Sequence, residues 1–160
     1  MPSDPGRQLL RHTLATLAYR GSKAVRGAPP EFAAFRAGPS TRTPADILAH
    51  ISDLLDWGIA ASDGTHAWKP MPPQAWTDDV ARFFAALERF DARLADEAPL
   101  GFPVEQLFQG PIADALTHVG QLAMLRRLAG APVRGEDYFR ARIATGHVGV
   151  AQSDPVFEFD

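Results

Sequence analysis

The chain contains no cysteine, which excludes disulfides, thiolate metal ligands and a protein thiol as nucleophile. Any metal must be held by histidine, aspartate or glutamate, and thiol chemistry needs a thiol that arrives with the substrate. Long apolar runs are missing as well, since none approaches the roughly 20 residues that span a bilayer. There is no excess of basic residues either. A formal net charge of −3 gives no electrostatic footprint for nucleic acid or an anionic membrane. The opening stretch MPSDPGRQLLRH lacks the basic-then-apolar layout of a secretory leader, so a cytoplasmic location is expected. Internal repeats and low-complexity blocks are absent, and no G-x-S-x-G, P-loop or Rossmann fingerprint offers a ready chemistry.

What remains is a chain of 160 residues, 46% of them hydrophobic, enough for one domain over residues 1–160 with its own core. Its apolar residues recur at helical spacing. Residues 7–25 place Leu10, Leu14, Leu17, Gly21 and Ala24 on one face, and His12 falls off that stripe onto the surface side. Phe32 and Phe35, in a Gly- and Pro-rich connection, can plug one end of a core. Thr43-Pro44-Ala45-Asp46 is a helix start, with a threonine cap, a proline at the first position and an acid in the first turn. The second helix then turns Ile47, Ile51, Leu54, Leu55 and Gly58 inward and carries His50 within the same arc.

Residues 62–76 form a long connection containing His66, Trp68 and Trp76, and connections of that length inside a domain are often functional. Thr77 is expected to cap a third helix with Val80, Phe83, Phe84, Leu87, Phe90 and Leu94 inside and Arg82, Glu88, Arg89 and Arg93 solvated. A fourth helix is expected from Gly110-Pro111 to Gly130, with proline at its first position and Gly130 as its left-handed cap. The segment GEDYFRARIATG fits a short fifth helix resting on Tyr138, Phe139 and Ile143. The tail after it has no helical period, and Val156, Phe157 and Phe159 need cover from the bundle or a second subunit. The expected fold is all-α, a four-helix bundle with a short fifth helix and an irregular C-terminal tail.

Asp114 and His118 stand four residues apart on the apolar side of the fourth helix, where polar groups need partners. Bundle metal sites are built from such inward side chains on different helices. His50, Asp114 and His118 supply three nitrogen or oxygen donors, the number found in catalytic rather than structural sites. The bland alternatives are a His50 imidazole bonded to a carbonyl or carboxylate of the core, and an Asp114 held in the first turn by the helix dipole. Gln121, one turn past His118, can orient a ligand or bridge two helices. Trp57 and Trp68 can wall a pocket or simply pack. His66 and His147 lie in loop and tail segments, where surface placement is the ordinary outcome.

The stretches LLRHTLATLAYRGSKAVRG, TPADILAHISDLLDWG and DALTHVGQLAMLRRLAG together resemble the DinB-like superfamily, which includes metal-dependent thiol S-transferases. That family pattern has one metal-binding histidine on the second helix and a His-x-x-x-His pair on the fourth, usually followed by Gly and Gln. His50 matches the first position, and His118, followed by Val119-Gly120-Gln121, matches the last. Asp114 replaces the customary middle histidine. The resemblance implies a divalent metal, zinc or nickel first, with iron or manganese admitted by the carboxylate. It also implies transfer of a low-molecular-weight thiol to a small electrophile, or hydrolysis if water is activated instead. The rival is a non-catalytic bundle with a degenerate metal site that binds a ligand or partner through Trp68, Trp76 and the tail. A homodimer is compatible with the apolar tail.

Overall fold

The computed structural model describes residues 4–159. Four long helices dominate it: α1 (Pro5–Val25), α2 (Pro44–Ser62), α3 (Trp76–Ala95) and, after the short α4 (Val104–Leu107), α5 (Ala113–Leu128). The fold is all-α apart from a two-residue antiparallel pairing of β1 (Gly135–Glu136) with β2 (Glu158–Phe159). No helix among the described residues is long and apolar enough to cross a membrane.

Helix order follows from which side chains meet. Along α2 and α3, Arg82 reaches Asp53 and Asp56, Arg89 reaches Asp56, and Arg93 reaches Asp63. Both sets of numbers rise together, so these neighbours run parallel. A parallel pair needs a connection that returns the full length of the helix, and residues 63–75 do this. On the other flank, Arg11 of α1 pairs with Asp91 while Gly21 lies under Phe83, so α1 is antiparallel to α3. His50 of α2 faces His118 of α5 while Trp57 lies against Gly110, so that pair is antiparallel too. Each of α1 and α2 thus packs on both α3 and α5, and the four close around one apolar core.

The apolar stripes read from the sequence fill that core. Leu14, Leu17, Ile51, Leu55, Leu87, Phe90 and Leu122 are fully buried. Phe32 seals one end, with Trp76 edge-on against it at 5.7 Å. Two glycines are there for close approach. A Cβ on Gly21 would sit 2.6 Å from the Phe83 ring, and one on Gly58 2.5 Å from the Phe90 ring, far inside contact distance. The α2 start is a complete capping box: the Thr43 hydroxyl accepts from Asp46 N, and the Asp46 carboxylate accepts from Thr43 N.

Several expectations are corrected. Helix α3 begins at Trp76, with Ala75 rather than Thr77 at the cap position, and the Asp79 carboxylate accepts from Gln74 N at 2.9 Å instead. Arg82 and Arg93 are not free in solvent but clamp α3 to acids on α2. The helix expected to open at Pro111 already starts at Val104 and passes through a π turn at Phe108–Ile112. The wider turn absorbs Pro111, which has no N–H to give. It also resets the phase. Running the α period backward from Ala115 puts Phe108 inside, whereas the π turn buries Leu107 and leaves Phe108 44% exposed.

The expected fifth helix does not form. Gly135 and Glu136 pair with Phe159 and Glu158 instead, and Phe139 is 98% exposed. The reason lies on α1. The Glu136 carboxylate is fully buried, accepting from the Tyr19 hydroxyl at 2.5 Å and from Lys23 Nζ at 2.8 Å. That bonding holds the segment extended. The tail is therefore less irregular than its composition suggests, and Phe157 lies under the Arg140 guanidinium at 4.1 Å.

Candidate metal centre

His50 sits on α2 because the Thr43 cap fixes the helix phase two turns earlier, with Ile47 and Ile51 anchored in the core on either side. Asp114 and His118 occupy successive turns of α5, anchored by buried Ala115, Val119 and Leu122. Where α2 and α5 face each other, one donor atom from each of His50, Asp114 and His118 lies within 4.8 Å of the others. His50 Nε2 is 3.8 Å from Asp114 Oδ2, and His118 Nδ1 is 3.3 Å from Asp114 Oδ1. The two imidazole centroids are 4.7 Å apart. Neighbouring ligands around an ion with bonds of about 2.1 Å lie roughly 3.4 Å apart in tetrahedral geometry. The 3.8 Å between His50 Nε2 and Asp114 Oδ2 is slightly wider than that, and the half-exposed Asp114 carboxylate is the member with room to move.

The hydrogen bonds argue against the bland readings. His118 Nδ1 lies 2.8 Å from the main-chain oxygen of Asp114. A carbonyl only accepts, so Nδ1 carries the hydrogen and Nε2 of the neutral ring keeps its lone pair. This is the orientation in which a ligating histidine is usually held. His50 makes no hydrogen bond to any described residue, although its side chain is only 22% exposed. A core imidazole bonded to a carbonyl or carboxylate is therefore not what the structure shows, because 3.8 Å to Asp114 is too long. Nor does Asp114 cap a free helix end. The residues before it are already helical through the π turn, so the first-turn explanation loses its basis.

Burial, the neighbouring His118 and the Arg42 charge hold the His50 pKa below its ordinary value. His50 is therefore neutral at neutral pH, as a metal ligand must be. The sign for stability follows. Below about pH 6.5 the unfolded chain protonates this histidine while the folded chain resists. Stability present above that pH is lost as the pH falls through the depressed folded value. Urea midpoints of metal-free protein should drop between pH 6.5 and 5.5, and a His50→Gln variant should lose less over the same interval. Equal losses in the two proteins would show that His50 is not the group responsible.

The other expected site residues divide. Trp68, 46% exposed, stands edge-on to His50 at 5.5 Å and to Trp57 at 6.1 Å. Its loop is tied down by Met71 N donating to buried Asp53. Trp57 walls the far side of Trp68 but does not border the three donors. His66 is exposed, the ordinary outcome for its loop, and its ring lies 5.3 Å from Trp57 and 6.4 Å from Phe102, lining a separate cavity of about 200 Å³ beside the π turn. His147 binds the Ala151 carbonyl, and His12 meets Thr145, both on the surface as expected. Trp76 caps the core and takes no part.

A cleft of about 730 Å³ opens from the two imidazoles between α2 and α5. Gln121 lines it, along with Ile47, Thr117, Met124 and Leu125. So do Thr41 and Arg42, which sequence reasoning overlooked. The usable signal was the helix start itself: a basic residue immediately before a Thr-Pro cap lies at the same end of the helix as whatever follows two turns later.

No family model, curated protein or solved structure matches the chain. Two nitrogens and a carboxylate, partly buried and opening onto a cleft, can hold a metal ion and leave coordination positions for a ligand.

Proposed function

We propose that the chain is a metal-dependent enzyme on a DinB-like four-helix bundle, acting on a small electrophilic substrate. What supports the reading is one observation: the positions carried over from the family resemblance, His50 and His118, meet in space with Asp114 between them. They are distant in sequence and sit on different helices. A divalent cation held there would lower the pKa of a coordinated thiol or water. With no cysteine in the chain, the thiol would be a low-molecular-weight co-substrate.

The protein's own contributions are positional. The Asp114 carbonyl holds the His118 ring with Nε2 free. Trp68 stands over His50 and limits solvent on one side. Ile47, Met124 and Leu125 make an apolar wall along the cleft, and Gln121 offers an amide for orienting a bound molecule. Two neutral imidazoles plus a carboxylate suit zinc or nickel and extend the range to iron and manganese.

The test is elemental analysis of untagged protein, followed by a screen of thiols against electrophiles with the reconstituted metal. Near-stoichiometric metal and metal-dependent turnover are the expected results. Stoichiometric metal without turnover of any thiol or water reaction would leave a binding protein, and protein that takes up no metal would remove the reading altogether.

A further inference from the structure

Arg42 is exposed and pairs with no carboxylate among the described residues, unlike Arg82, Arg89 and Arg93 on α3 but like Arg26, Arg127 and Arg142. What sets it apart is its place in the cleft. The acid nearest in sequence, Asp46, takes both Thr43 donors on its Oδ2, at 3.0 and 2.7 Å, and feels Arg42 as a charge without forming an ion pair with it. Yet Arg42 lines the cleft that runs from His50 and His118, with Thr41 beside it. Between the two ends the lining is apolar, from Ile47, Met124 and Leu125. Met124 is 60% exposed, an apolar side chain held at the cleft surface. The volume lies within the usual range for small-molecule sites.

We propose that this cleft takes an amphiphilic monocarboxylate, its acid on the Arg42 guanidinium and its apolar spacer along Ile47, Met124 and Leu125. The other end of the molecule, the reacting end, then lies at His50 and His118; this placement rests on the metal-site reading. A single guanidinium matches a single carboxylate in charge and in bidentate geometry. A phosphate monoester would leave a second charge unmatched against an apolar wall. The spacer has a scale set by α2. Arg42 lies before the extended Thr43 cap, and the helix from Pro44 to His50 rises about 9 Å, so the acid and the reacting atom are separated by several carbons rather than one or two. Small acids with adjacent functional groups are thereby disfavoured.

Metal-free protein is first titrated with hexanoate and with 1-hexanol, following backbone amide shifts by NMR. Hexanoate is expected to bind about five- to tenfold more tightly, with the largest shifts at residues 41–47 and 117–125. Arg42→Gln should erase that preference while leaving hexanol affinity unchanged, and Arg42→Lys should keep part of it. Equal affinities in the wild type, shifts outside the cleft, or an Arg42→Gln variant that weakens both ligands alike would each overturn the proposal. Cobalt-loaded protein is then titrated with 6-mercaptohexanoate and 6-mercaptohexanol, following the visible spectrum of the ion. The same preference for the acid is expected there. If cobalt does not bind but the hexanoate preference appears, the metal reading fails and the carboxylate site stands. If cobalt reports both thiols equally and hexanoate shows no preference, the carboxylate site fails and the metal reading stands.

Discussion

Replacing His118 with alanine should weaken zinc or cobalt binding by on the order of a hundredfold or more, measured by competition with a chelator of known affinity. The loss is large because three protein donors come together among the described residues, and an ion left with two would be readily lost to water or chelator. Asp114→Asn should weaken binding by about tenfold, since an oxygen donor survives while the negative charge does not. Asp114→His should retain binding and move the preference toward zinc and nickel, because it exchanges a hard donor for a third imidazole. His66→Ala is the internal control. Its ring belongs to the separate cavity behind Trp57, and metal affinity should not change. A His118→Ala protein that binds metal as tightly as the wild type would mean that the three side chains meet without forming a site.

Glu136→Ala should lower the unfolding free energy by about 3–5 kcal/mol, the range found when one partner of a buried ion pair is removed. The carboxylate is fully buried, and it holds both the Tyr19 hydroxyl and Lys23 Nζ. Without it, Lys23 retains Glu158 at 3.0 Å, but the Tyr19 hydroxyl loses its partner in a buried setting. Burial and the adjacent Glu136 already push the Tyr19 pKa well up, so that hydroxyl remains a neutral donor in need of an acceptor. Tyr19→Phe, which removes donor rather than acceptor, should cost only about 1–2 kcal/mol. The double variant should lose less than the sum of the two, because the residues share one bond. Urea unfolding at pH 7 measures all three. Additive losses, or a Glu136→Ala loss near zero, would show that the segment after α5 is held by its strand pairing and aromatic contacts instead.

These two results probe different parts of the molecule, and the parts differ in how far they could be foreseen. The pairing of Glu136 with α1 had no local signature. GEDYFRARIATG carries Tyr138 and Phe139, with Ile143 one helical turn past Phe139, and local preference points to a helix. A buried carboxylate with two donors from α1 outweighs that preference, because leaving it unpaired costs more than a short helix gains. The π turn was equally hidden. Proline after glycine reads as a helix start, and only the packing of Leu107 shows that the helix began earlier and widened to admit Pro111. The cap of α3 moved from Thr77 to Ala75 for a similar reason, since Asp79 satisfies the backbone of Gln74 from within the helix.

By itself the sequence determined the helical class, the core faces of the four long helices and the box that starts α2. Each of these depends on neighbours three or four residues apart, and a periodic pattern records such neighbours directly. It also named His50, Asp114 and His118, because polar groups on apolar faces stand out. Whether those three donors meet, which loop tryptophan stands beside them and that Arg42 shares their cleft were decided only by tertiary structure. Those outcomes depend on how α2 and α5 are set against each other, and that is fixed by side chains far apart in the chain packing into one another's spaces.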